Sequence, residues 1–143
     1  MEVASSNETA PMHTVLLVDD DERVRRSLHL LLRWSGGWDV VGEAADSASA
    51  LDLVAALRPD LVLLDRWLAD GDGLRIVPLL LALDRPPRVV ILSAEPEGVL
   101  QSQIQGLGAI CLDKMTSPLD LLAALRELMD RSAYGPGGSI ANL

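Results

Sequence analysis

The sequence predicts an α/β fold, a doubly wound five-stranded parallel sheet with helices on both faces. Three observations predict it. Short apolar runs alternate with longer amphipathic stretches five times along the chain. The run at 61–64 is apolar at every position, as a strand covered on both faces must be. The chain has 143 residues, 49% of them hydrophobic, enough for one compact domain with a sizeable core. That core has to be aliphatic, because the chain contains no Phe, one Tyr and three Trp.

Residues 14–18 form the first β-rich run, which ends in the acids Asp19, Asp20 and Asp21. From 22 to 34, Val24, Leu28, Leu31 and Leu32 recur at helical spacing, and Gly36 and Gly37 stop the helix. Residues 38–41 are the second strand. A second helix runs from about 46 to 57 and closes at Arg58-Pro59, because a residue before proline is pushed out of the helical region. The apolar run at 61–64 ends in Asp65. A loop with Asp70, Gly71, Asp72 and Gly73 leads into a Leu-rich helix whose Pro78 disturbs its first turns. The acids of that loop read as ordinary turn residues.

Residues 88–92 are the fourth strand and end at Ser93-Ala94. Residues 96–107 read as a weak helix, since Gly98 and three Gln lower its propensity. Residues 109–112 are the fifth strand. The last helix has the clearest start signal: Ser117 as cap, Pro118 at the first helical position and Asp120 completing a box-like pattern. Residues 1–12 read as a flexible leader and 133–143, rich in Gly, as a flexible tail or linker, leaving one domain over 13–132.

Composition excludes several classes. A net charge of −9 argues against direct nucleic acid binding by this domain. The single Cys111 forbids an internal disulfide and fits a reducing compartment. No apolar run is long enough for a bilayer and the first residues lack signal-peptide character, so a cytoplasmic protein with no membrane contact is expected.

In folds of this kind ligands bind at the carboxyl ends of the strands. Those ends carry Asp19 and Asp20, Asp65, Ser93, and Lys114. Carboxylates converging beside one lysine repel one another unless a cation joins them, and hard oxygen ligands in a shallow cleft favour Mg²⁺, which keeps waters and accepts phosphate oxygens. A hydroxyl and an ammonium on the far side suit the remaining oxygens of a phosphoryl group, and a carboxylate nucleophile can form an acyl phosphate. Taken alone, the three consecutive acids would read as helix caps. His13 and His29 have no partner at metal-ligand spacing and read as surface or strand-start residues.

The stretches VLLVDDDERVRRSL, PDLVLLDRWLADGDGL, VVILSAE and LGAICLDK resemble, in order and spacing, the receiver domains of two-component response regulators. The resemblance covers about residues 14–131, and the 39–65 stretch and the helix after Ser117 look like the LuxR/NarL-type subfamily. It implies a flavodoxin-like sheet of strand order 2-1-3-4-5. It implies that Asp65 accepts the phosphoryl group and that Asp19, Asp20, Asp65 and the backbone carbonyl of Trp67 hold Mg²⁺. It also implies that Ser93, the amide of Ala94 and Lys114 bind the phosphoryl oxygens. A histidine kinase or phosphotransfer protein would be the donor. The face made by segment 96–107, the fifth strand and the last helix would then bind a partner or form a homodimer. Such a domain assists only its own phosphorylation and dephosphorylation and is not an enzyme in the usual sense. It is either a stand-alone receiver or the receiver part of a longer DNA-binding transcriptional regulator.

Departures from the family pattern concern transmission. Leu68 and Ala69 stand where Met-Pro is usual, leaving that loop less rigid. Trp67 places an indole at the rim of the site, where it would shield an acyl phosphate from water. Cys111 stands where the family's aromatic switch partner of Ser93 is usual, and reads equally as a small buried strand residue. Met115 follows Lys114 in place of proline. Cys111, Ala69 and Met115 motivate an alternative, a receiver-like interaction module that no longer uses phosphorylation. An aspartyl phosphatase is disfavoured, since the second acid it needs two residues after the nucleophile is Trp67 here.

Overall fold

A computed structural model describes residues 12–95, 102–104 and 106–132 of the chain. The leader expected over 1–12 lies outside the described residues except for Met12, and the tail over 133–143 lies outside them entirely. Of the weak helix expected over 96–107, residues 102–104 are helical and 106–107 begin a turn.

Five parallel strands form one sheet: β1 (His13–Val18), β2 (Trp38–Ala44), β3 (Leu61–Asp65), β4 (Arg88–Ser93) and β5 (Ile110–Asp113). Their order is β2-β1-β3-β4-β5, the order expected. Strand β2 runs to Ala44, three residues past its expected end, because β1 continues to pair with it up to Val18 opposite Ala44. Strand β5 is displaced one residue toward Lys114, with Cys111 opposite Ile91 and Asp113 opposite Ser93.

Helix α1 (Glu22–Ser35) and the C-terminal helix (Pro118–Ser132) cover one face of the sheet, where Leu32, Leu125 and Leu128 bury against Val15, Leu17, Leu61 and Leu63. On the other face Ala50 and Val54 of α2 (Ser47–Leu57), with Val77 and Leu80 of α3 (Val77–Leu81), bury against Leu16, Val62, Leu64 and Ile91. Central strand β3 is buried at all five positions, which is why its sequence shows no polar alternation.

Three helix boundaries follow from local chemistry. Gly36 takes a positive φ of 79° and its N–H closes α1 on the Leu32 carbonyl. Ser117 Oγ accepts from the Asp120 N–H at 3.3 Å, so the expected cap forms. Helix α3 has only five residues and is preceded by a 3₁₀ turn over Gly73–Ile76. Pro78 has no N–H to donate and is tolerated only in a first turn, so the regular helix begins late.

Candidate functional site

Because the strands are parallel, their carboxyl ends open on one edge of the sheet, and the residues following them meet there. Val18 leads into buried Asp19 and exposed Asp20, and β3 ends in buried Asp65. An oxygen from each of these three carboxylates lies within 4.8 Å of the others. Lys114, just beyond β5, places its Nζ 3.2 Å from Asp19 Oδ2 and 3.1 Å from Asp65 Oδ1. Its backbone N–H donates to the Ser93 carbonyl at 2.9 Å, fixing the end of β5 against the end of β4.

The loop after β1 sorts the three consecutive acids into separate tasks. Asp21 is the N-cap of α1, its side chain accepting from the Arg23 N–H at 2.9 Å. Asp19 turns inward, and its Oδ1 accepts from the Asp21 N–H at 2.9 Å. Arg25 holds the Asp19 carbonyl at 2.5 Å and Glu43 at 2.9 Å, tying α1 to the ends of β1 and β2. Capping therefore accounts for Asp21, while Asp19 and Asp20 remain with Asp65.

Burial raises the Asp65 carboxyl above its ordinary pKa, and the charge of Asp19 adds to the effect, with Lys114 opposing both. For Lys114, burial works against the ammonium, but the bond to Asp65 and the charge of Asp19 outweigh it and raise its pKa. Lys114 is thus a cation at neutral pH. Three carboxylates nevertheless face a single ammonium, so the corner carries excess negative charge. Closely spaced hard oxygen donors, one exposed and two buried, fit a small divalent cation such as Mg²⁺ that retains water ligands.

The turn after β3 is shaped by a close approach. A Cβ on Gly73 would lie 2.5 Å from the Asp65 carbonyl oxygen and 3.0 Å from that of Arg66. Asp72 opens the 3₁₀ turn by accepting from the Leu74 N–H at 2.9 Å, a turn role as expected. Asp70, expected as an ordinary turn residue, instead accepts from the N–H groups of Ser47 at 2.9 Å and Ala48 at 3.3 Å and so caps α2 together with Asp46. That contact spans 23 residues, beyond the reach of a turn rule.

Ser93 is buried, and its hydroxyl is bonded to Glu95: it accepts from the Glu95 N–H at 3.1 Å and donates to Oε1 at 3.3 Å. Ala94 is exposed beside it. Cys111 is half-buried and packs against the core cluster containing Ile91 and Ile104. Met115 is exposed, and its N–H is taken by Asp113 Oδ1 at 2.8 Å, so the turn after Lys114 is held without a proline. His13 starts β1 with its ring 5.5 Å from Trp38, and His29 lies 3.3 Å from Glu43.

Arg66, which the sequence did not single out, is the most connected side chain near the site. It is 5% exposed. Its guanidinium bonds Asp72 at 3.2 Å, Glu95 at 2.5 Å and the side chain of Gln103. The half-exposed Trp67 indole covers it, with 4.6 Å between the guanidinium carbon and the ring centroid. The indole expected over an acyl phosphate thus stacks on Arg66. A basic residue inside an otherwise apolar stretch was the available signal, but its acids lie six and 29 residues away.

Residues 15–126 match the family description "Response regulator receiver domain". Among curated relatives, the "Probable transcriptional regulatory protein NarL" of Mycobacterium tuberculosis is 33% identical over 92% of this chain and 62% of that protein. The "DNA-binding transcriptional activator DevR/DosR" of the same species is 36% identical over 82% of this chain and 54% of that protein. The chain thus spans about three fifths of the length of such relatives. The solved receiver domain of the M. tuberculosis response regulator NarL superposes with a TM-score of 0.76 at 31% identity, covering 82% of this chain and 96% of that one. A LuxR-family response regulator from Aurantimonas sp. superposes at 0.77 with 26% identity, covering 83% of this chain and 86% of that one. With its sheet order, its acid corner and a family match along most of its length, this chain belongs to the response regulator receiver domains of two-component signalling.

Proposed function

We propose that Asp65 is the phosphoacceptor, and that it takes a phosphoryl group from a phosphohistidine donor with Mg²⁺ held by Asp19, Asp20, Asp65 and the Trp67 carbonyl. The observation that carries this reading is the Lys114 ammonium bridging buried Asp19 and Asp65 beside exposed Asp20. A carboxylate oxygen of Asp65 attacks phosphorus, a P–O bond forms and the P–N bond breaks, and the electron pair returns to the imidazole, which then takes a proton. Bound Mg²⁺ supplies positive charge to the transferring phosphoryl oxygens. Lys114 supplies a second charge, and the Ser93 hydroxyl and Ala94 amide donate to the oxygens away from the acids.

The domain occupies 13–132, between a leader and a tail or linker, and works in the cytoplasm with a histidine kinase or phosphotransfer protein as donor. The names of NarL and DevR/DosR support an output through transcription regulation, with DNA contacted elsewhere than in this acidic domain. The surface proposed for partner binding or homodimerisation is the one made by β5, the C-terminal helix and the segment expected as the fourth helix, of which 102–104 and 106–107 are described. Phosphorylation from acetyl phosphate, followed by phosphate-affinity gel mobility, tests the reading. Wild type should shift only with Mg²⁺ and Asp65→Asn should not shift. An unshifted wild-type chain that retains its fold would favour the phosphorylation-independent interaction module.

A further inference from the structure

We propose that Arg66 and Glu95 form a clamp that holds the Ser93 hydroxyl away from the phosphoryl position, and that release of this clamp carries the signal that Cys111 is too small to carry. The inference rests on the phosphoacceptor reading of Asp65. The observation behind it is a continuous chain of bonds: Ser93 Oγ to Glu95 Oε1 at 3.3 Å, and Glu95 Oε1 to Arg66 Nη1 at 2.5 Å. The same Arg66 nitrogen reaches Gln103, and Nη2 reaches Asp72 at 3.2 Å.

Each end of the chain is anchored. Arg66 directly follows Asp65, and its backbone N–H donates to the Leu92 carbonyl at 3.2 Å. Asp72 caps the turn before α3. Gln103 sits beside Ile104, which is buried in the core. The planar guanidinium suits this position because its fork engages separate acceptors at fixed angles, which a lysine ammonium does not. Its burial beneath the Trp67 indole makes the geometry costly to deform.

In this arrangement the carboxylate of Glu95 and a phosphoryl group on Asp65 would compete for one hydroxyl proton. A serine hydroxyl has a single donor. When Ser93 turns to the phosphoryl oxygen it must leave Glu95. The 93–95 turn is then free to move against Arg66, and through Gln103 the displacement reaches the helical turn at 102–104. Arg66 and Glu95 are thus positioning residues acting through Ser93.

The test measures the affinity for beryllofluoride at fixed Mg²⁺ by titration calorimetry. Glu95→Ala frees the hydroxyl and should bind about tenfold more tightly than wild type, the ratio expected for losing one hydrogen bond to a charged group. Glu95→Gln keeps a weaker acceptor and should fall between them. Arg66→Lys keeps the charge but loses the fork, and should tighten binding less than Glu95→Ala. In a Ser93→Ala background, Glu95→Ala should have no further effect. A tightening that persists without the serine hydroxyl would mean that the Glu95 charge acts directly, and overturns the clamp. Unchanged affinity in both the half-exposed Glu95 variants also overturns it while leaving the phosphoacceptor reading intact. No binding by wild type overturns both.

Discussion

At the ends of β1 and β3 the charged groups belong to the strand termini themselves, whereas past the end of β4 they are side chains gathered from distant loops. Asp19 directly follows buried β1, Asp65 is the last residue of buried β3, and they meet Lys114 at 3.2 and 3.1 Å. The Ser93 side draws on Arg66, Asp72, Glu95 and Gln103, and it has Cys111 where the family commonly has an aromatic residue. The proposed chemistry is therefore built into the sheet, and the proposed transmission is built onto it. A region of the first kind tolerates little change, and one of the second kind can be rewired without loss of the reaction.

The largest effect should fall on the first region. Asp65→Asn should reduce acetyl phosphate-dependent labelling to background, and chelation of Mg²⁺ should do the same for wild type. Residual labelling of Asp65→Asn at the wild-type rate would move the acceptor elsewhere and break the comparison. Next in size is Gly73→Ala. The new methyl would meet the Asp65 carbonyl oxygen at 2.5 Å, a backbone atom that cannot swing aside. Overpacking of this kind costs about 1–3 kcal/mol, so the urea midpoint should drop with an unchanged slope. An unaltered midpoint would show that the turn after β3 yields freely.

The pH dependence of stability sharpens the same contrast. Asp65 has its carboxyl pKa raised above the ordinary 3.8 by burial and by Asp19, so in the absence of metal the folded chain holds this proton more tightly than the unfolded chain. Its contribution to stability is accordingly largest below about pH 3.8 and falls as pH rises through the raised folded value. Asp65→Asn removes that loss. The variant should melt a few degrees above wild type at pH 7 in chelator, with the gap closing toward pH 3.8, and Mg²⁺ should narrow it by stabilising wild type. A gap independent of pH would sink the explanation.

Strand ends and site acids could be read from the sequence because each follows directly from a local pattern. An apolar run fixes a strand, and the polar residues just after it are carried to the sheet edge; Asp19 and Asp65 come first after their runs, and Asp20 and Lys114 second. The Ser117 cap was legible for the same reason. Arg66 was not, because its partners Asp72, Glu95 and Gln103 become neighbours only after the sheet and its loops have assembled. Asp70 escaped in the same way, since its use is to cap a helix 23 residues earlier. The three additional residues of β2, Gly42, Glu43 and Ala44, do not continue the apolar run of the strand and belong to it only because β1 pairs with them.

Trp67 gives the smallest predicted effect and the finest division between the two regions. Its position two residues after Asp65 suggested a water shield for the acyl phosphate, but its ring stacks on Arg66 at 4.6 Å. A stack of this type contributes about 0.5–1 kcal/mol at exposed sites, which limits the effect of its removal on any rate to roughly two- to fivefold. If the indole acts through Arg66, Trp67→Asn should loosen the hold on Glu95 and speed phosphorylation by acetyl phosphate within that range, and prior replacement of Glu95 by Ala should erase the difference. If it shields the phosphate directly, Trp67→Asn should instead accelerate dephosphorylation whether or not Glu95 is present. Equal dephosphorylation rates for wild type and Trp67→Asn would leave the shield without support and place the indole with the transmission region, although it stands only two residues from the proposed acceptor.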